Sequence, residues 1–202
     1  MDAQPISQQP IFYLFIAATI LIALGYSWGR RKNRRIYLAT FNALVDTLQP
    51  KDQKFTTIGG LSGYHANLIP RKNRLIRRVD ATITLLARQS VLYYPISRLT
   101  RKWDRLFITL LFSKEAEGRI AEGHLIEKEY EHYKAPKITN AAKLNRQELQ
   151  WEGKEFTLYY ETGKMRDALL KLKQKLRTPG ELRHVALVPE REQAHIFLVP
   201  SK

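Results

Sequence analysis

Residues 11–29 form an apolar stretch without a charged side chain, and this stretch constrains the fold more than any other feature. As a helix, these nineteen residues rise about 28 Å, which approaches the ~30 Å hydrocarbon core of a bilayer. A core helix of a soluble domain would carry a polar face at helical spacing. The few polar side chains here lie mostly near the end of the stretch, where Tyr26, Ser27 and Trp28 suit the headgroup zone. The sequence therefore predicts a transmembrane helix over 11–29.

The charges that flank this helix differ between its two ends. Residues 1–10 carry one charged side chain, Asp2. Five cations follow the helix within six residues: Arg30, Arg31, Lys32, Arg34 and Arg35. Cationic flanks stay on the cytoplasmic side, so we expect a single-pass protein of the cell membrane with residues 1–10 outside and residues 30–202 in the cytoplasm. A cleaved signal peptide is the alternative, but it needs a cationic start, a shorter apolar stretch and a small-residue cleavage site. A buried helix of a soluble domain is the other alternative.

Composition limits both the fold and the partners of the remaining chain. The 202 residues are 44% hydrophobic and 26% charged, which is ordinary for a globular protein. The chain contains no cysteine, so disulfide frameworks, cysteine-based zinc sites and thiol nucleophiles are excluded. The net charge is +15, and because residues 1–29 carry only Asp2, the remainder carries +16. Such a charge repels itself unless an anionic partner offsets it. An anionic leaflet and nucleic acid both fit this requirement.

Residues 30–49 are expected to continue the apolar helix as a basic juxtamembrane helix. Apolar residues recur there at spacings of three and four, which describes one helical face: Tyr37, Phe41, Leu44, Val45 and Leu48. Pro50 ends the helix. This stripe predicts that the helix packs on the domain that follows it.

Residues 50–202 are expected to form one basic cytoplasmic α+β domain with a mainly antiparallel sheet and packed helices. Two short strands over 54–69 surround a glycine turn, a strand alternates over 79–85, and a buried strand covers 106–112. A short helix lies near Pro95. Hairpins are predicted over 150–161 and 185–198. The sequence leaves strand and helix open for 114–135, and residues 136–147 are expected to be a loop.

A helix with a threonine cap is predicted from about residue 163 to residue 177. Thr162 precedes it, and the pair at 179–180, proline and glycine, stops it. Its expected inner face consists of Met165, Ala168, Leu169, Leu172 and Leu176.

The residue types needed for catalysis or for metal and cofactor binding do not form a recognisable pattern. The glycine cluster at 59–63 lacks the lysine-serine pair of a phosphate-binding loop and the frame of a nucleophile elbow, so a turn is favoured. No two histidines stand at the spacing of a helical metal site; His124 and His132 lie among glutamates, which favours a solvated acidic face over a weak metal site. The sequence therefore predicts no cofactor, no metal and no enzyme activity.

A basic patch over residues 71–105 is the strongest functional signal. It contains ten cations against two acids: Arg71, Lys72, Arg74, Arg77, Arg78, Arg88, Arg98, Arg101, Lys102 and Arg105. Tyr93, Tyr94 and Trp103 lie between them and could stack on bases. Arginine predominates, which suits forked contacts to phosphate. The sequence predicts an anionic partner but leaves RNA and lipid headgroups open, and a solvated face paired with the acidic residues of 115–131 is the alternative.

Three stretches resemble the calumin family, the coiled-coil-domain subunits of the eukaryotic PAT membrane-protein chaperone. They are 41–60, a helix that runs into a strand; 88–111, a basic helix before an apolar strand; and 161–176, a capped basic helix. That family has one membrane span, a basic exit and a cytosolic α+β domain. The resemblance implies work beside the translocon and contact with the ribosome, and it brings no catalytic residues. This chain lacks the family's acidic luminal segment and the C-terminal coiled coil that touches the ribosome.

These observations predict a single-pass membrane protein whose basic domain docks on ribosomes or rRNA near the translocon or insertase and aids membrane-protein biogenesis. The alternative is a non-catalytic structural subunit of a membrane complex whose basic patch rests on anionic lipid. The membrane itself is a partner in both hypotheses.

Overall fold

The computed structural model describes residues 9–71, 73–116, 118–133, 138–176 and 182–200. Its helices are α1 (Pro10–Leu48), α2 (Tyr94–Arg101), α3 (Lys128–Tyr133) and α4 (Gly163–Leu176). Its strands are β1 (Pro50–Thr57), β2 (Gly63–Pro70), β3 (Ile76–Thr84), β4 (Arg105–Phe112), β5 (Gly123–Glu127), β6 (Asn145–Trp151), β7 (Lys154–Tyr160), β8 (Leu182–Val188) and β9 (Gln193–Leu198). The protein is therefore an α+β fold, as the sequence predicts.

All nine strands form one antiparallel sheet in the order β1-β2-β3-β4-β9-β8-β5-β7-β6. The first four strands follow one another along the sheet as a meander. The last hairpin, β8–β9, inserts between β4 and β5 and joins the two halves of the sheet. Two separate segments of the sequence therefore contribute to one continuous layer.

The helix α1 is continuous over 39 residues, about 58 Å at 1.5 Å per residue. Among the described residues it is long and apolar enough to cross a membrane by length and composition, and none of its most apolar 18-residue window is buried. Beyond residue 29 the helix packs on the sheet. Gln49 ends it in a left-handed conformation and donates its backbone N–H to the Val45 carbonyl.

The register of β2, β3 and β4 defines two ends of the sheet. Thr84 lies opposite Gly63 and Arg105 at one end, which we name the entry end because α1 meets the sheet there. Residues 58–62 and 85–104 belong to it. Ile76 lies opposite Phe112 at the other end, which we name the far end and which includes residues 71–75. The eight steps of β3 separate the two ends by about 26 Å.

The described residues form two large apolar clusters and a small third one around Phe112, Ala116 and Ala194. The first packs α1 on β2, β3 and β4, with Phe41 buried and the remaining predicted stripe residues half-buried against it. The second packs α4 on β5, β7 and β8. Ile196 and Leu198 of β9 contact both clusters and join them. The predicted stripe of α1 is thus confirmed.

The predicted capped helix is also confirmed, with a correction to its inner face. Thr162 Oγ1 accepts a hydrogen bond from the Met165 backbone N–H at 3.3 Å. Met165 and Leu169 are buried, but Ala168 and Leu176 are exposed because the contact face includes Leu170, on the other side of Leu169, beside Leu172. The predicted end of this helix at 177–180 lies outside the described residues.

The middle of the chain differs from the expectations in detail. The segment 114–135 contains both a strand, β5, and a helix, α3, so neither alternative alone is correct. The predicted loop over 136–147 ends earlier, because β6 begins at Asn145 and pairs along its length with β7. The predicted turns at 59–63, 152–153 and 189–193 separate the strand pairs as expected.

Candidate functional site

A buried ion pair holds the segment after β3 against the segment before β4. Arg88 Nη1 donates to Asp104 Oδ1 at 2.9 Å, and Nη2 donates to Asp104 Oδ2 at 2.8 Å. Their side chains are only 5% and 6% exposed. Asp104 Oδ1 also accepts the Leu86 backbone N–H at 2.7 Å, so the carboxylate has three donors. A buried pair with this geometry is costly to break because one charge would remain without a partner.

The same ion pair connects to α1 through Asn33, which is fully buried. Arg88 Nη1 donates to Asn33 Oδ1 at 3.0 Å. The Asn33 amide group donates to the Leu86 carbonyl at 2.9 Å and to Gln89 Oε1 at 3.1 Å. One asparagine therefore fixes α1 to the loop that follows β3. We name Asn33, Arg88 and Asp104 the polar lock.

Two glycines allow α1 to approach the same loop closely. A Cβ atom at Gly29 would lie 2.0 Å from the Arg88 carbonyl oxygen, which no side chain can tolerate. One turn earlier, a Cβ atom at Gly25 would lie 2.4 Å from a Val91 methyl group. The residues around 88–91 thus contact α1 inside its apolar stretch, and the polar lock fixes them there.

The structure shows that one residue of the predicted basic patch is buried and that the other described residues lie at two separate ends of the sheet. Arg88 is not an exposed cation, because its guanidinium is buried in the polar lock. Arg71, Arg74, Arg77 and Arg78 lie exposed at or near the far end, where Arg78 pairs with Asp80 at 2.9 Å. Arg98, Arg101, Lys102 and Arg105 lie at the entry end. Lys72 lies outside the described residues.

The entry end also exposes apolar side chains, which we name the apolar ridge: Val91, Leu92, Tyr93, Ile96 and Leu99. Leu92 is 79% exposed and Leu99 is 80% exposed. Leu92, Ile96 and Leu99 stand four and three residues apart, so they share one face of α2 and the turn before it. A contiguous exposed apolar surface with cations around it is typical of a binding surface.

A groove of about 430 Å³ opens beside the ridge, between α1, α2 and the C-terminal residues 199–200. Lys32, Arg98 and Lys102 line it together with Tyr94 and Trp103, and the polar lock contributes to its inner wall. Within the part of the chain that the structure describes, no carboxylate forms an ion pair with Lys32 or Arg98. The groove is therefore positively charged.

The backbone at Lys102 is strained. Its φ of 62° and ψ of −48° describe a γ-turn that L-residues rarely adopt, and the Trp103 N–H donates to the Arg101 carbonyl at 2.8 Å across it. Glycine would accept this conformation without a Cβ penalty. Strain of this kind concentrates at functional sites. Here it places a lysine and a tryptophan side by side in the groove.

The three aromatic residues of the predicted patch have different surroundings. Tyr93 is exposed on the ridge, while Tyr94 is half-buried in the groove. Trp103 lies under two cations, with Arg183 at 5.5 Å and Lys102 at 5.8 Å from its ring. Its face therefore stabilises local cations. The basic residues after the apolar stretch remain on the surface of α1, where Lys32 lies 5.2 Å from the Trp28 ring.

A second polar cluster lies on the opposite face of the sheet. The rings of His124 and His184 are stacked with centroids 5.9 Å apart. Burial, with His124 and His195 nearby, lowers the pKa of His184 from 6.5 to about 3. Burial and Arg191 also lower the pKa of His195. No group of three potential ligands with metal-binding geometry occurs in the described ranges. His184 is therefore neutral in the fold near pH 7.

Sequence reasoning missed Asn33, Asp104 and the exposed leucines of the ridge. One signal for Asp104 existed, since it is one of two acids among ten cations. No protein-family model matches this chain, and no curated protein matches it. The resemblance to the calumin family therefore stays a prediction.

Proposed function

We propose that this is a non-catalytic, single-pass protein of the cell membrane whose α+β domain lies on the anionic cytoplasmic leaflet. The contact between Gly25 and Val91 carries the proposal. If residues 11–29 span the bilayer, Gly25 lies about 6 Å inside the end of the span, at 1.5 Å per residue. Val91 and the rest of the apolar ridge then lie at the boundary between headgroups and acyl chains.

The composition of the entry end supports this position. Amphipathic helices bind the interface with an apolar face and a cationic rim, and α2 has both. Tyr26 and Trp28 on α1 and Tyr93 on the ridge are exposed, and such side chains suit an aromatic belt at the interface. Each leucine that enters the interface removes apolar surface from water, worth up to about 1.5–3 kcal/mol when burial is complete. The five cations after residue 29 favour the cytoplasmic orientation.

Single-cysteine labelling tests the position directly, because the chain contains no cysteine. Leu99→Cys places a spin label on the ridge, and Leu75→Cys, exposed at the far end, is the matched control. In nanodiscs that contain phosphatidylglycerol, we expect the label at 99 to be accessible to oxygen and protected from a water-soluble paramagnetic complex. The label at 75 should show the reverse. Equal exposure of both labels to the aqueous complex would refute the proposal.

A second candidate function is docking on ribosomes or rRNA near a translocon or insertase. The separation of the basic patch favours it, since Arg71, Arg74 and Arg77 lie at the end of the sheet away from the ridge. Phosphate contacts make RNA binding salt-dependent, and the log-log slope flattens by roughly 0.7–0.9 for each phosphate that the protein no longer neutralises.

The test measures ribosome binding by the full chain in neutral nanodiscs at several salt concentrations. Reversal of these three arginines to glutamate should abolish binding. Reversal of three cations elsewhere, Arg146, Arg166 and Lys171, is the control. Equal weakening in both variants would indicate a general effect of net charge and would remove this candidate.

A further inference from the structure

We infer that the groove at the entry end binds the headgroup of one anionic phospholipid. This inference deepens the proposed function and rests on the position of the apolar ridge at the membrane surface. The ridge brings the groove to headgroup level, since α2 contributes to both. A lipid could then leave its acyl chains beside the ridge and α1 while its phosphate enters the groove.

The lining of the groove matches this ligand. Three cations from three separate places, Lys32 on α1, Arg98 on α2 and Lys102 in the γ-turn, converge on one volume. Lys32 and Arg98 form no ion pair within the described residues, so their charge is available to an anion. Arginine provides forked contacts to phosphate oxygens, while lysine provides a point charge.

The anionic residue of the groove does not oppose such a ligand. Asp104 lies in the wall, but both of its oxygens accept hydrogen bonds from the Arg88 guanidinium. The pair is neutral overall and fixed by Asn33. Tyr94 and Trp103 supply the aromatic walls, which suit the glycerol and acyl-chain junction.

The strained γ-turn at Lys102 is a separate argument for a built site. A lysine occupies a backbone position that glycine would occupy without a Cβ penalty. The conformation directs the chain so that Lys102 and Trp103 both line the groove. A strained backbone that lowers the stability of the fold is expected at a binding site when it positions a charge that the ligand requires.

Charge-neutral variants of one helix provide a matched test. Arg98→Gln removes a groove cation, and Arg101→Gln removes a cation of the same helix that does not line the groove. Both side chains are exposed, so both variants should have the same urea midpoint of unfolding as the wild type. The full chain in neutral detergent is titrated with dioctanoyl phosphatidylglycerol, dioctanoyl phosphatidylcholine or inorganic phosphate, and binding is followed by tryptophan fluorescence.

We expect the phosphatidylglycerol to bind more tightly than either other probe. Arg98→Gln and Lys32→Gln should each weaken its binding about fivefold, since a cation near an anionic membrane surface contributes about that factor. Arg101→Gln should stay within about twofold of the wild type. A larger effect at Arg98 and Lys32 than at Arg101 distinguishes binding in the groove from attraction by the overall positive charge.

Three results would overturn the inference. Equal weakening by Arg101→Gln would mean a diffuse field, equal binding of both lipids would mean no headgroup selection, and preferred binding of inorganic phosphate would mean a soluble ligand. The label at Leu99→Cys, measured in parallel, reports the membrane position of α2 independently. If the groove does not bind the lipid but the label at 99 is protected from the aqueous complex, the proposed function still stands. If the label is exposed to the aqueous complex, the proposed function itself is contradicted.

Discussion

The polar lock makes a prediction that separates a structural arginine from a binding arginine. In Arg88→Met, a side chain of similar length replaces the guanidinium. Asp104 then loses two charge-assisted hydrogen bonds and keeps only the one from the Leu86 N–H, and Asn33 Oδ1 loses its donor. Asp104 is only 6% exposed in the native fold, so we expect its carboxylate to stay buried without a counter-ion.

Breaking a buried pair in this way costs about 3–5 kcal/mol, because one charge remains unpaired in a low-dielectric site. Arg78→Met is the matched control. It likewise replaces an arginine paired with one aspartate, but Arg78 makes a single contact with Asp80 at 2.9 Å, and its side chain is 48% exposed. Exposed pairs contribute less than about 1 kcal/mol, so the two variants should differ by at least about 2 kcal/mol.

The assay is urea unfolding of the full chain in detergent, followed by tryptophan fluorescence. Trp151 is buried in the second apolar cluster and reports global unfolding. In Arg88→Met/Asp104→Leu the unpaired charge is gone, so we expect recovery of at least half of the stability. If Arg88→Met were no more destabilised than Arg78→Met, the polar lock would not hold the fold, and Arg88 would return to the set of candidate binding cations.

Three further predictions concern a helix contact, a buried histidine and the strained turn. Gly29→Ala should lower the free energy of unfolding by at least about 3 kcal/mol because its Cβ would meet the backbone of Arg88, whereas Gly25→Ala, which meets only a side chain, should cost about 1 kcal/mol in the same urea assay. Lowering the pH from 7.5 to 5 should reduce the free energy of unfolding by about 2 kcal/mol through His184, because the pKa of this side chain falls from 6.5 in the unfolded chain to about 3 in the fold. The fold favours the neutral form, so the full stability is present above pH 6.5 and declines on acidification. The stability of His184→Leu should depend less on pH. Lys102→Gly should raise the free energy of unfolding by about 1 kcal/mol through relief of the γ-turn while it weakens lipid binding; a destabilised Lys102→Gly would contradict the strain argument.

The sequence by itself determined the local elements, because each depends on residues that are close along the chain. The stripe that begins at Tyr37 predicted how α1 packs, and Thr162 predicted the start of α4. Alternation and turn residues predicted the strand pairs on either side of 152–153 and 189–193. Periodicity and capping act within a few residues, so they are visible without any tertiary contact.

Only the tertiary structure decided which cations face solvent and which act together. Arg88 resembles its neighbours in sequence, yet it is buried because Asp104, sixteen residues later, and Asn33, on another element, converge on it. The register of β3 carries Arg74 and Arg98 to opposite ends of the sheet, so one basic segment becomes two surfaces. Burial, charge pairing and the sharing of a surface depend on contacts between distant segments, and a run of charges in the sequence does not specify those contacts.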